Sequence, residues 1–112
     1  TLSSSSAASD VYKRQARHRA DARFHIEVAA AAQSLRLTHA EMRLQSEVGE
    51  LLWMEAAGGG DITLVEQEHQ AILQALVAGD SVLAGALAEA HVNRGIKRLI
   101  SLRLELLAAD PD

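Results

Sequence analysis

The sequence contains no cysteine, one proline and only 3% aromatic residues. Without cysteine it can form neither a disulfide framework nor a thiolate zinc site, and a cytoplasmic location is expected. Acidic residues outnumber basic ones by 15 to 11, and the formal net charge of −4 argues against a general basic surface for nucleic acid. Apolar runs are far shorter than the roughly 20 residues that a membrane helix needs, so no membrane partner is expected.

The residues that are abundant favour helices. The chain has 112 residues, of which 48% are hydrophobic and 23% charged, enough for one domain with a core. Ala, Leu, Glu, Arg and Gln dominate, and these are strong helix formers. Amphipathic helical segments joined by short loops predict an all-α fold, an antiparallel helical bundle.

Residues 1–15, TLSSSSAASDVYKRQ, differ in composition from the rest. A secretory signal would place its basic residues first and follow them with an apolar core, whereas Lys13 and Arg14 come last and no such core exists. A Ser-rich linker is one interpretation. The stretch can also be encoded in frame by a nucleotide string that ends in GTGTATAAGAGACAG and resembles a sequencing-library adapter. We therefore expect residues 1–15 to be a non-native, adapter-derived segment and residues 16–112 to be the native domain.

Hydrophobic periodicity predicts four helices. Their expected spans are Arg17 to Gln33, Thr38 to Ala56, Ile62 to Val77 and Ser81 to Ala108. A capping box, Thr38-x-x-Glu41, predicts the second start, and three glycines at 58–60 predict a loop. Gly79 and Asp80 predict a stop followed by a new cap. The residues expected to face inward on the third helix are Val65, His69, Ile72, Leu73 and Leu76.

Four polar residues fall on these apolar faces. Asp21 and His25 share one face of the first helix because they are four residues apart. His69 lies on the apolar face of the third helix, and His91 follows the stripe of Leu83, Leu87 and Ala90 on the fourth. Burying these groups without partners would be costly, and three imidazoles with one carboxylate suit a divalent transition metal with open coordination positions.

Each feature also has a simpler interpretation. Asp21 and His25 could simply form a hydrogen bond with each other. An inward histidine is more often a core residue with a hydrogen-bond partner than a metal ligand. An enzyme is a second alternative, in which Glu68 beside His69 is a conceivable base for metal-activated water. A carboxylate di-iron bundle would need a second Glu-x-x-His besides the one ending at His69, and the sequence has none. A plain structural helical module is the remaining alternative.

The order and spacing of these residues resemble the FCD domain, the all-helical effector-binding domain of FadR-type regulators in the GntR family. The resemblance extends from Ala16 to about Leu107. The matching motifs are Asp21-x-x-Phe24-His25, Glu68-His69-x-x-Ile72-Leu73-x-Ala75-Leu76-x-x-Gly79-Asp80, Ala84 and His91. One departure is Ser34, where many members carry Asn at a helix junction.

The resemblance implies a regulatory protein that is not an enzyme. It implies that Asp21, His25, His69 and His91 bind a divalent metal, with zinc expected first and nickel or manganese as alternatives. A small-molecule carboxylate would be the effector, and the nearest effector-binding candidates are Arg23, Asn93 and Arg94. The family's winged helix-turn-helix and first FCD helices are expected upstream of Ala16. DNA binding would require that missing domain, and the full-length protein is expected to be a homodimer.

Overall fold

The computed structural model describes residues 4–49, residue 51 and residues 62–109. Within these ranges every regular element is helical, which confirms the predicted all-α helical fold class. The elements are α1 (Ser4–Ala31), α2 (Leu35–Leu44), a π-helical turn (Gln45–Gly49), α3 (Ile62–Val77) and α4 (Ser81–Ala109). None of the described helices is both long enough and apolar enough to cross a membrane. The chain divides into two compact units, Thr1–Trp53 and Met54–Asp112.

Helix α1 is longer than its pattern predicts. It begins at Ser4 rather than near Arg17, so it includes most of the segment expected to be adapter-derived. Every side chain from residue 5 to residue 15 is exposed, which means that this extension adds nothing to a core. The helix ends at Ala31, two residues before its predicted end at Gln33. The φ of Gln33 is 54°, a left-handed conformation that interrupts helical geometry.

The start of α2 corrects the predicted capping box. Ser34 is the cap: its Oγ accepts the Leu37 N–H at 3.2 Å, and Thr38 already lies in the first turn. The Thr38 N–H donates to the Ser34 carbonyl at 3.0 Å, and the Glu41 side chain accepts a hydrogen bond from Gln45 Nε2 at 2.9 Å. The predicted continuation to Ala56 is interrupted at the π-helical turn, and its last part, with the 58–60 glycine loop, lies outside the described residues.

Helices α3 and α4 form a hairpin whose bounds agree closely with the predicted ones. Gly79 has a φ of 73°, a conformation that glycine adopts without strain. The Gly79 and Asp80 N–H groups donate to the Leu76 and Ala75 carbonyls at 3.1 and 3.0 Å, the pattern of a Schellman C-cap. Asp80 Oδ1 then accepts the Leu83 N–H at 3.0 Å and caps α4. The predicted stop and restart is therefore confirmed.

The buried face of the hairpin differs in part from the predicted one. Val65 and Ile72 are buried as expected, together with Ala75 and Ala84. The assignment of Leu73 and Leu76 to the inward face is wrong, since they are 44% and 41% exposed. The small side chains of Ala75 and Ala84 allow the two helices to approach closely, which leaves the larger leucines at the edge of the contact. The hydrophobic periodicity identifies the apolar face of the helix, but it does not show which residues of that face are the most deeply buried.

Candidate metal and effector site

The first pair of candidate ligands lies one helical turn apart on α1. Nε2 of His25 is 3.7 Å from Oδ1 of Asp21, and the two side chains are only 20% and 14% exposed. The neighbouring Phe24 ring meets the His25 imidazole edge-on, with ring centres 5.4 Å apart. The helix thus holds a carboxylate and an imidazole side by side in a largely covered position, as their i, i+4 spacing predicts.

The second pair lies within the other unit, across the α3–α4 hairpin. Nε2 of His69 is 3.2 Å from Nε2 of His91, and the rings are nearly perpendicular, with centres 4.8 Å apart. His91 is 8% exposed and is the buried polar residue of the described core. The predicted convergence of these two histidines is therefore present, and two ring nitrogens face each other.

A carboxylate stands behind His91. Oε1 of Glu68 lies 3.4 Å from Nδ1 of His91, the ring nitrogen that does not contact His69. The other oxygen of Glu68 accepts a hydrogen bond from Nε of Arg94 and forms an ion pair with Nη2 of the same residue. The Glu68 side chain is 9% exposed and that of Arg94 46% exposed. Residues from both helices thus form a chain of contacts that runs from Arg94 through Glu68 to His91 and on to His69.

The charge of Glu68 is well compensated. Burial raises the pKa of this carboxyl, but the hydrogen bonds and positive charge supplied by Arg94 and His91 outweigh that effect. Its pKa therefore lies below the ordinary value of 4.5. A carboxylate with a lowered pKa and two partners already in place is a weaker base than a free carboxylate.

The three candidate effector residues occupy different settings. Arg23 is exposed on α1 and donates to Glu27 at 2.8 Å, and this hydrogen bond raises its pKa. Asn93 is exposed on α4. Arg94 is engaged with Glu68, beside His91. Arg94 therefore connects, through Glu68, to the candidate metal ligand His91.

The contact between Glu68 and Arg94 is not predicted from the sequence. The residues are 26 positions apart and lie on different helices, so no local spacing relates them. One signal was present: His91 and Arg94 are three residues apart and share a face of α4, while Glu68 directly precedes His69. A hairpin that brings His69 to His91 therefore also brings Glu68 near Arg94.

The geometry of the histidine pair fits a shared metal ion. Two imidazole nitrogens bound to zinc at about 2.0–2.1 Å are roughly 2.8–3.4 Å apart when the angle at the metal is between about 90° and 109°. The observed separation of 3.2 Å falls in that range. A direct N–H···N hydrogen bond also has this length, so the two nitrogens are placed for either a proton or a cation between them.

Comparison with known proteins identifies the family of this helical chain. The model of the FCD domain matches residues 2–94, so the chain belongs to the FCD domain family. A "Putative HTH-type transcriptional regulator RmpR" from Mycobacterium gastri is 38% identical over 94 residues. That match covers 82% of this chain but only 34% of the relative. No solved structure matches significantly.

Proposed function

We propose that this chain is the effector-sensing domain of a bacterial transcription regulator and that it senses its effector through a bound metal. The metal ligands are Asp21, His25, His69 and His91. The observation that carries the proposal is the 3.2 Å separation between the Nε2 atoms of His69 and His91, in a chain that belongs to the FCD family. The 38% identity to a protein named as a transcriptional regulator supports the regulatory class.

The donor set favours a particular type of ion. Three imidazoles and one carboxylate suit zinc or nickel better than magnesium or calcium, which prefer oxygen, and manganese is a third choice. Zinc is the first candidate because it accepts nitrogen ligands without a strict geometric preference. The metal would supply a fixed positive charge beside apolar helix faces.

The charge balance favours an anionic effector. A divalent ion with the single negative charge of Asp21 leaves a net positive charge, because Glu68 is offset by Arg94. A small-molecule carboxylate is therefore the proposed effector, bound at an open coordination position of the metal. Arg23, Asn93 and Arg94 remain the proposed polar contacts, and Arg94 is placed first because it is half-exposed and leads to His91 through Glu68.

The proposed output of binding is a shift between helix arrangements. An effector that binds one arrangement better than another changes their populations, and the same coupling free energy acts on any attached domain. In the whole protein that domain would be a winged helix-turn-helix, acting in a cytoplasmic homodimer. In this proposal DNA is contacted only through that domain.

A thermal-shift screen tests the sensing role. Wild-type protein, the double variant His69→Ala/His91→Ala and the control His39→Ala, exposed on α2, are melted with a panel of carboxylic acids, each with and without zinc. A carboxylate at about 100 times its Kd stabilises the fold by about 2.7 kcal/mol, which raises the Tm by several degrees. We expect such a shift in the wild type and in His39→Ala only when zinc is present. Equal shifts in the double variant would contradict the proposal.

A further inference from the structure

We propose that Glu68 positions His91 as a metal ligand by accepting its Nδ1–H, and that Arg94 holds Glu68 in place for this task. The inference rests on the proposed metal site and deepens it, since Glu68 and Arg94 act through His91 without touching the metal. Metal-binding histidines commonly donate their second ring N–H to a carboxylate, which orients the ring and makes the ligand nitrogen more basic.

The two oxygens of Glu68 have separate partners. Oε1 lies 3.4 Å from Nδ1 of His91. Oε2 accepts a hydrogen bond from Nε of Arg94 and forms an ion pair with its Nη2. Arg94 therefore restrains the carboxylate from one side and leaves the other oxygen directed at the imidazole. The carboxylate and imidazole are both about nine-tenths covered, so water has little access to compete for these contacts.

This arrangement determines which nitrogen of His91 carries the proton. With Nδ1–H donated to Glu68, Nε2 of neutral His91 bears a lone pair, and that lone pair faces Nε2 of His69. A lone pair at Nε2 is the form that binds a metal. Without Glu68, this contact would no longer favour the Nδ1–H tautomer of His91, and that tautomer is the one that presents Nε2 as a ligand.

A purely structural ion pair between Glu68 and Arg94 makes a different prediction. In that case, loss of Glu68 would lower stability but would leave the tautomer of His91 and the metal affinity unchanged. Glu66 provides a matched control, because it is an exposed carboxylate on the same helix, two residues from Glu68. Truncating Glu66 to Ala removes the same charge without removing the contact to His91.

The experiment measures the His91 tautomer and the zinc affinity in the same 112-residue chain. Protein labelled with 15N-histidine is studied by long-range 1H–15N correlation at about pH 8, above the ordinary imidazole pKa of about 6.5. Zinc affinity is measured by competition with a chromophoric chelator. The variants are Glu68→Ala, Glu68→Gln, Arg94→Gln and Glu66→Ala. Glu68→Gln preserves side-chain volume, and if Glu68→Ala fails to fold, it tests the role through the smaller losses expected when the acceptor is a neutral amide oxygen.

We expect wild-type and Glu66→Ala protein to show His91 protonated at Nδ1, both with and without zinc. In Glu68→Ala the metal-free His91 signal should become a mixture of tautomers, and zinc affinity should fall about 10- to 100-fold. Glu68→Gln, which keeps an acceptor oxygen, and Arg94→Gln should show smaller losses. An unchanged tautomer and affinity in Glu68→Ala would overturn the positioning role while leaving the metal site intact. Failure of the wild type to bind zinc would instead overturn the proposed function.

Discussion

The Nε2 atoms of His69 and His91 lie 3.2 Å apart although 22 positions separate the two residues in the sequence. The turn between α3 and α4 produces this relationship. Gly79 ends one helix in a left-handed conformation and Asp80 caps the next, so the register of the two helices is set where the chain reverses. The histidines occur at nearly equal distances from this turn and therefore meet across the hairpin.

Substitutions in this turn should destabilise the hairpin. Gly79→Ala places a Cβ on a residue with a φ of 73° and should cost about 1 kcal/mol. Asp80→Ala removes the acceptor of the Leu83 N–H and should cost about 1 kcal/mol as well. Urea denaturation measures both effects as a lower free energy of unfolding.

A glycine within α4 supplies the opposite expectation. Gly85 is helical and exposed, and a Cβ built there meets nothing within 4 Å. Gly85→Ala should therefore stabilise the protein by roughly 0.5–1 kcal/mol. If Gly79→Ala also stabilised the protein, the left-handed turn that sets the register would be excluded.

Acid should weaken the metal-free protein through Glu68. Its pKa in the fold lies below the ordinary 4.5, since Arg94 and His91 outweigh the effect of burial. The ionised form thus contributes stability that is fully present above pH 4.5 and is lost as the pH falls through the folded-state pKa. Urea denaturation in the presence of a chelator, repeated from neutral pH downwards, should show this loss in the wild type.

Glu68→Gln separates this effect from other acid-sensitive groups. The variant should be about 1 kcal/mol less stable than the wild type at neutral pH, a modest value because Arg94 is half-exposed. The difference between the two proteins should shrink below pH 4.5. Glu66→Gln should follow the wild-type curve throughout. A constant difference between wild type and Glu68→Gln at every pH would contradict the assignment.

The hairpin is the part of the fold that the sequence predicts best. The bounds of α3 and α4 follow from a clear apolar period and from the Gly79–Asp80 signal, which has one physical interpretation. The start of α2 was predicted less well, because Ser34 and Thr38 are both capable caps and the side chain of Glu41 turned to Gln45. Local residue types do not reveal which of two adequate caps the chain uses.

In the candidate site, too, some contacts are predictable from the sequence and others are not. The His25 and Asp21 pair follows from i, i+4 spacing, and the facing of His69 and His91 follows from two stripes and one turn. The bond from Arg94 to Glu68 could not be read in this way, because it depends on side-chain conformations across two helices. Contacts between helices are fixed by packing, which periodicity alone does not supply.

Deletion of residues 1–15 should have little effect on stability. These residues are helical from Ser4, but their side chains from residue 5 to residue 15 are exposed, with Tyr12 at 66%. Surface changes of this kind usually alter the free energy of unfolding by no more than about 0.5 kcal/mol. Melting and urea curves of the whole chain and of residues 16–112 make the comparison. Unfolding of the shorter chain would show that the segment is a structural element and would contradict its proposed adapter origin.

Residues 16–112 should not bind DNA by themselves. Without Lys13, Arg14 and Asp10 the chain keeps 9 basic and 14 acidic residues, a balance that repels phosphate. Electrophoretic mobility of labelled duplex DNA at physiological salt should be unchanged by this fragment. A retarded band that persists at that salt concentration would show that the fragment carries a DNA-binding surface of its own.

The proposal that both ligand pairs bind the same metal ion can be tested by removing each pair in turn. His69→Ala/His91→Ala should lose metal uptake because the facing nitrogens are gone, and Asp21→Ala/His25→Ala should weaken it strongly. His39→Ala, an exposed histidine on α2, should behave as the wild type. Ligands must be deprotonated, so uptake should also fall as the pH drops below about 6.5.

The most direct measurement is the metal content of the purified chain after saturation with zinc and exhaustive dialysis, determined by elemental analysis. We predict about one ion per chain for wild type and for His39→Ala, and none for His69→Ala/His91→Ala. Wild-type protein that retains no zinc, or a double variant that retains a full equivalent, would contradict the claim that these histidines form a metal site.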